Sequence, residues 1–148
     1  RCVGNAVALS RNAWKNVAKI DIDLPADLPA VPAFSAELHQ VLLNLLTNAA
    51  HAIEDRNVPA PKPLGRISVG ARLDGAEVEL WVTDDGVGIP DEVGWRIFEP
   101  FYTTKEVGRG SGQGLAIARL VIVHKHGGSF SFESEVGMGT TFRVRLPL

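Results

Sequence analysis

Cysteine is nearly absent from this chain: Cys2 is the only one. No intrachain disulfide can form, a thiolate metal centre is disfavoured, and a reducing compartment suits the chain. No apolar run approaches the roughly 18 residues of a membrane span. This part of the chain is therefore read as cytoplasmic, with no direct membrane contact. A net charge of -2 gives no electrostatic reason to expect nucleic acid or an anionic membrane as partner. Internal repeats and low-complexity tracts are missing. No G-K-[ST] occurs, so a P-loop is excluded. The opening "RCVGNAVALS" has neither Met nor a signal-peptide plan. The chain is thus expected to be a piece of a longer protein, whose parent could be membrane-anchored.

What is present is ordinary globular composition: 148 residues, 45% apolar and 22% charged. One domain over 1–148 with a sizeable core is expected. Residues 3 to 14 look helical. "VAKIDIDL" (17 to 24) alternates as a strand does. Ser35 can cap a long helix reaching about Asp55, with Glu37 in its first turn. "RISVGARL" and "EVELWVTD" alternate around Asp74 and Gly75, a hairpin signal. A short helix is placed over 91 to 98, and another over 113 to 126 that ends at Gly127 and Gly128. "SFSFES" and "TFRVRL" form a second hairpin. The fold class is α+β: a mixed sheet with helices on one face.

On the long helix, Leu38, Val41, Leu42, Leu45, Ala49, Ala52 and Ile53 share one arc and form the core face. Asn44, Asn48, His51 and Asp55 recur at i, i+4, i+7 and i+11, with Glu37 above them. Asn is a mediocre helix former, because its amide competes for backbone hydrogen bonds. Two readings stand: a solvated face, or amide oxygens turned toward a metal–phosphate group, since Mg²⁺ accepts neutral oxygen donors.

The second strand of the first hairpin runs into "DDGVGIP". Asp84 either begins a plain Asp-Gly turn or sits at a cavity edge, able to accept from an exocyclic amine such as N6 of adenine. Gly86 and Gly88 let the backbone approach a flat ligand. In "VGRGSGQGLAIARL", five of the eight positions after Val107 are Gly or Ser, and an apolar helical run follows. No strand precedes it, which argues against a dinucleotide turn. It is a flexible loop, or a set of N–H groups from Gly110, Gly112 and Gly114 at a helix start offered to an anion.

Taken in order, "ELHQVLLNLLTNAAHAI", "DDGVGIP", "IFEPFYTTK" and "GRGSGQGLAIA" resemble the N, G1, F and G2 boxes of histidine-kinase ATP-binding domains. These belong to the gyrase, Hsp90, histidine kinase and MutL superfamily. "HGGSFSFESEVGMGTTFRVRLPL" is similar to the family's closing hairpin. The resemblance implies a two-layer α/β sandwich of the Bergerat type, with a mainly antiparallel sheet and a mobile ATP lid over roughly 102 to 112. Asp84 would accept from the adenine amine, beside Gly86, Gly88, Ile89 and Thr140. Asn48 would coordinate Mg²⁺, and Asn44 and His51 would approach the phosphates. Tyr102, Thr103 and Thr104 would open the lid after Phe98 and Phe101, which anchor it by packing. Lys105 and the backbone of Gly110, Ser111, Gly112, Gln113, Gly114 and Leu115 would contact phosphate. Gln113 departs from the family's usual Leu and is expected to alter lid packing without abolishing binding.

The superfamily's hydrolases carry a Glu four residues before the metal-binding Asn, as general base for water. Here that position is Asn44, which cannot take a proton. Transfer to another nucleophile is favoured over hydrolysis, with Asn44 and Lys105 the residues nearest the chemistry. None of His39, His51, His124 or His126 lies in H-E/D-L-x-x-P or H-D-F-N-N. The phosphoacceptor histidine is therefore expected on a dimerising helical hairpin upstream, in a homodimeric parent. That parent would feed a response regulator receiver domain in bacterial two-component signalling. A motion-coupled superfamily ATPase and a nucleotide-binding pseudokinase are the alternatives.

Overall fold

The computed structural model describes residues 2–25, 35–56, 58–59, 61–92, 94, 97, 114–125 and 127–147. Two short helices open the chain, α1 (Cys2–Leu9) and α2 (Arg11–Trp14). They replace the single helix expected over 3 to 14. The break is at Ser10, whose Oγ donates to the Val7 carbonyl at 3.1 Å. That side-chain bond offers the backbone an alternative to helical continuation.

Strand β1 (Ala18–Asp23) precedes helix α3 (Ser35–Glu54). Ser35 is thus the first helical residue rather than the cap. The hairpin of β2 (Gly65–Asp74) and β3 (Glu77–Asp84) follows. Its turn is one residue later than expected, because Asp74 pairs with Glu77 and leaves Gly75 and Ala76 as the loop. Helix α4 (Gly114–Leu120) passes into a π-helical turn at Val121–Lys125. The Gly128 N–H then closes onto the Ile122 carbonyl at 2.9 Å, which ends the helical run at the expected glycines. Strands β4 (Ser129–Glu135) and β5 (Gly139–Pro147) finish the fold. Most of the short helix expected over 91 to 98 lies outside the described residues.

The five strands form one sheet in the order β1-β2-β3-β5-β4. Only β1 and β2 run parallel; the other pairs are antiparallel. Period-two alternation gives the sheet two unlike faces. On β3, Val78, Leu80, Val82 and Asp84 point toward α3, whereas Glu79, Trp81 and Thr83 point away. On β5, Thr140, Phe142, Val144 and Leu146 point inward and Arg143 and Arg145 outward. Among the described residues the helices cover the inner face alone, so the fold is the expected two-layer α+β sandwich.

The outer face is a charged lattice. Glu79 is 2% exposed and meets Arg72 (3.4 Å), Arg143 (3.2 Å) and Arg145 (2.8 Å). Arg145 also pairs with Asp74 and Glu77, and Arg143 with Glu133.

Helix α3 buries more of its circumference than its core arc predicts. Leu46 and Ala50 are buried along with Val41, Leu42, Leu45, Ala49 and Ile53. Helices α1 and α2 pack against a second flank of α3, so its apolar surface has two partners. Leu38 and Ala52 of the expected arc are only half-buried.

Leu45→Ala should destabilise the fold by about 2–5 kcal/mol, because the cavity has close neighbours on both sides. Leu120→Ala, at a position 52% exposed, should change stability by no more than about 0.5 kcal/mol. Urea unfolding followed by circular dichroism compares the two.

Candidate nucleotide site

Asp84 ends β3, and its carboxylate folds back on the chain that follows. Oδ1 accepts the Gly86 N–H at 2.8 Å, and the Thr140 backbone supplies a second donor. The side chain is 6% exposed, and no basic side chain among the described residues pairs with it. Burial pushes its pKa up from 3.8 to about 6; the Gly86 N–H opposes this, the neighbouring Asp85 charge adds to it, and the Thr140 backbone opposes it. Near neutral pH the group is an ionised acceptor with no counter-charge among the described residues. The adjacent Asp85 acts within the fold. Its Oδ1 accepts the Arg66 N–H at 2.8 Å and ties the start of β2 to this turn.

The turn after Asp84 is pinned on two sides. The Val87 N–H donates to the Ala52 carbonyl of α3 at 3.1 Å. A Cβ on Gly86 would lie 2.5 Å from the Ala52 carbonyl carbon, so only glycine allows this approach. On the other side, the Gly137 N–H donates to the Val87 carbonyl at 2.9 Å. Gly88 has φ +78°, and a Cβ there would meet the Glu135 carbonyl oxygen at 2.3 Å. In this structure, then, both glycines serve close contact with the protein's own backbone. The Ile89 N–H donates to Ser134 Oγ at 2.7 Å. Thr140 is buried directly across the sheet from Asp84, on the same face.

Asp84, Gly86, Ile89 and Thr140 are thus brought together by hydrogen bonds, with Gly88 packed in the same turn. Ala52, which carries that cluster on α3, lies one turn beyond Asn48 and two beyond Asn44. Asn44, Asn48 and His51 are half-buried, which fits neither a fully solvated stripe nor a core one. Gln40 Nε2 donates to Asn44 Oδ1 at 3.2 Å. Gly114 opens α4, Leu115 packs half-buried against the core, and α4 lies against α3. Phe98, Phe101, Tyr102, Thr103, Thr104, Lys105, Gly110, Ser111, Gly112 and Gln113 lie outside the described residues. Sequence reasoning missed Ala52, Asp85 and Ser134. Ser134 did leave a sign: it is a hydroxyl following Phe130 and Phe132 on the inward face of β4.

The chain that carries this buried acceptor and its glycine turn matches a known family model. The histidine kinase-, DNA gyrase B- and HSP90-like ATPase model matches residues 34–148. The chain belongs to this family. Among curated relatives, this ATPase-family chain is 38% identical over 147 residues to the sensor kinase CckA of Brucella abortus. That match takes in 94% of this chain and 15% of the relative. It is 42% identical over 121 residues to the sensor histidine kinase ZraS of Escherichia coli K12, taking in 82% of this chain and 24% of ZraS. The chain thus spans only a small part of these relatives. Among solved structures, the catalytic domain of histidine kinase ThkA superposes with a TM-score of 0.78 at 28% identity. That likeness covers 99% of this chain and 91% of the ThkA domain. Full-length ShkA in complex with AMPPNP gives a TM-score of 0.77 at 27% identity, covering 99% of this chain and 29% of ShkA. The fold is that of histidine-kinase catalytic domains.

Because the folded carboxyl of Asp84 holds its proton to a higher pH than the unfolded one, the folded state binds more protons between about pH 4 and 6. Asp84 should therefore favour the fold least above pH 6 and progressively more as pH falls through that window. Over the window the change should be about 3 kcal/mol. Asp84→Asn should remove this component, so that the difference in urea unfolding free energy between wild type and variant varies between pH 4 and 7. A constant difference would contradict the burial of an uncompensated carboxyl.

Proposed function

We propose that this chain is the ATP-binding catalytic unit of a bacterial two-component sensor kinase, and that it passes the γ-phosphoryl group of Mg-ATP to a histidine on another part of its parent. The observation that carries this reading is the buried acceptor at Asp84, without a basic partner among the described residues, on a turn docked to α3. A carboxylate so placed takes its missing donor from an exocyclic amine of a purine. Asn44, Asn48 and His51 then lie along α3 toward the phosphate end of the nucleotide, and we assign Lys105 and the backbone N–H groups of 110 to 115 as further phosphate contacts.

Among the described residues, no group of three or more His, Cys, Asp or Glu could hold a metal alone. We assign Asn48 Oδ1 as a protein donor to a magnesium ion that would enter with the phosphates, since Mg²⁺ accepts neutral oxygen donors. The ion, when bound, neutralises phosphate charge.

Asn44 separates transfer from hydrolysis. An amide at that position can hold a phosphate oxygen or a metal-bound group, but it cannot deprotonate water. An imidazole nitrogen needs no such base, since its lone pair attacks phosphorus directly while the bond to the ADP oxygen breaks. The protein's part is then to position the γ-phosphate and offset its charge. The small share of its relatives that this chain spans fits a catalytic piece of a longer, homodimeric kinase. We assign the acceptor histidine to a dimerising helical hairpin in that parent, and the next phosphate recipient to a response regulator receiver domain. Among the described residues no helix is long and apolar enough to cross a membrane.

The direct test mixes this chain with γ-labelled ATP, Mg²⁺ and the separately produced hairpin of the parent. Acid-labile label should appear on the hairpin and not on this chain; label on this chain would contradict an external acceptor. Asn48→Asp should shift the Mg²⁺ concentration giving half-maximal transfer, and an unchanged Mg²⁺ dependence would remove Asn48 from the metal site.

A further inference from the structure

Ser134 lies at the end of β4, 45 residues from the glycine turn it bonds, and its hydroxyl makes three contacts. The Ile89 N–H donates to Ser134 Oγ at 2.7 Å. The Gly139 carbonyl oxygen lies 3.0 Å from it, and Thr140 Oγ1 lies 2.7 Å from it. A hydroxyl has one proton and two acceptor positions. A backbone N–H can only donate and a carbonyl can only accept, so Ile89 fills one acceptor position and Gly139 receives the Ser134 proton. The remaining contact then has one solution: Thr140 must donate its own proton to Ser134.

This fixes the polarity of Thr140. With its proton committed to Ser134, Oγ1 has only lone pairs left for any other partner. Thr140 pairs with Asp84 across β3 and β5, with both side chains on the inner face. Among the described residues, two side-chain acceptors, Asp84 and Thr140, therefore stand together at this end of the sheet. An exocyclic amine offers two N–H groups to such a pair, whereas a base carrying a carbonyl oxygen there would face two acceptors.

We propose that Ser134 is a positioning residue that sets base selectivity, by holding the Thr140 hydroxyl as an acceptor and excluding 6-oxopurines. The inference rests on the adenine role of Asp84 argued above. Ser134 itself touches no substrate. It acts through Thr140, and it also clamps the Ile89 end of the glycine turn to the β4–β5 hairpin.

The test is titration calorimetry of ATP and inosine triphosphate binding to the 148-residue chain. Wild type should favour ATP by roughly 100-fold or more, because a rejected base leaves buried polar groups mispaired. Ser134→Ala releases the Thr140 proton to point at the base, so the preference should fall to about 10-fold or less, mainly through tighter inosine triphosphate binding. Ser134→Thr keeps a hydroxyl and should retain the wild-type preference. Adding Thr140→Val to Ser134→Ala removes the freed donor and should restore much of the preference, which general loosening of the pocket would not do. Ser134→Cys, which keeps shape but supplies a weak acceptor, should move in the same direction as Ser134→Ala and serves if the alanine variant does not fold. An unchanged ATP-to-inosine ratio in the alanine or cysteine variant, with ATP binding still weakened by Asp84→Asn, overturns the role of Ser134 alone. ATP binding that Asp84→Asn leaves intact overturns the adenine reading and this inference with it.

Discussion

Two carboxylates are buried in the same sheet, in opposite circumstances, and the contrast organises the molecule. Glu79 on the outer face is ringed by Arg72, Arg143 and Arg145. Asp84, on the inner face of the same strand, has two backbone N–H groups and, among the described residues, no cation. Desolvating a charge is unfavourable unless it is paired and hydrogen-bonded. Glu79 meets that demand within the fold and helps lock the open face of the sheet. Asp84 meets it only in part, and the unmet part is what the proposed purine amine would supply.

The rest of the site consists of means to keep that carboxylate where a ligand can find it. The turn after β3 is held to α3 through the Ala52 carbonyl and to the β4–β5 hairpin through Gly137, so it has contacts on both flanks. Glycine at 86 and 88 permits both approaches. Helix α3 joins the two ends of the nucleotide reading: its outer stripe bears Asn44, Asn48 and His51, and its next turn receives the glycine loop. A helix packed on two flanks is a rigid element, and rigid elements place binding groups more accurately than loops do.

Much of this was legible in the residues. Alternation in "EVELWVTD" located β3, and the leucine spacing located α3 closely. The four ordered motifs carried the family. What escaped reading was set by partners distant in sequence. Leu46 and Ala50 are buried because α1 and α2 supply a second flank, which no periodicity within α3 reveals. The glycines at 86 and 88 announced a close approach without saying what approaches, and the partner is backbone from α3 and from β4. Ser134 depends on Ile89 and Thr140 meeting around one oxygen. The break at Ser10 is local, yet a hydroxyl turning back onto Val7 competes with helix propensity too finely for composition to register.

The strand order has a bearing on how the molecule comes into being. β5 is made after every other strand, yet it is inserted between β3 and β4, and it carries the Thr140 that stands opposite Asp84. While a ribosome is still short of residue 140, β3 has one bare edge and the Asp84 carboxylate lacks the Thr140 backbone donor. Helix α3 and the β2–β3 hairpin can associate early, since their contacts are nearer in sequence; the Asp84–Thr140 pairing cannot. The Asp84–Thr140 pair is thus the last part of this end of the sheet that synthesis completes.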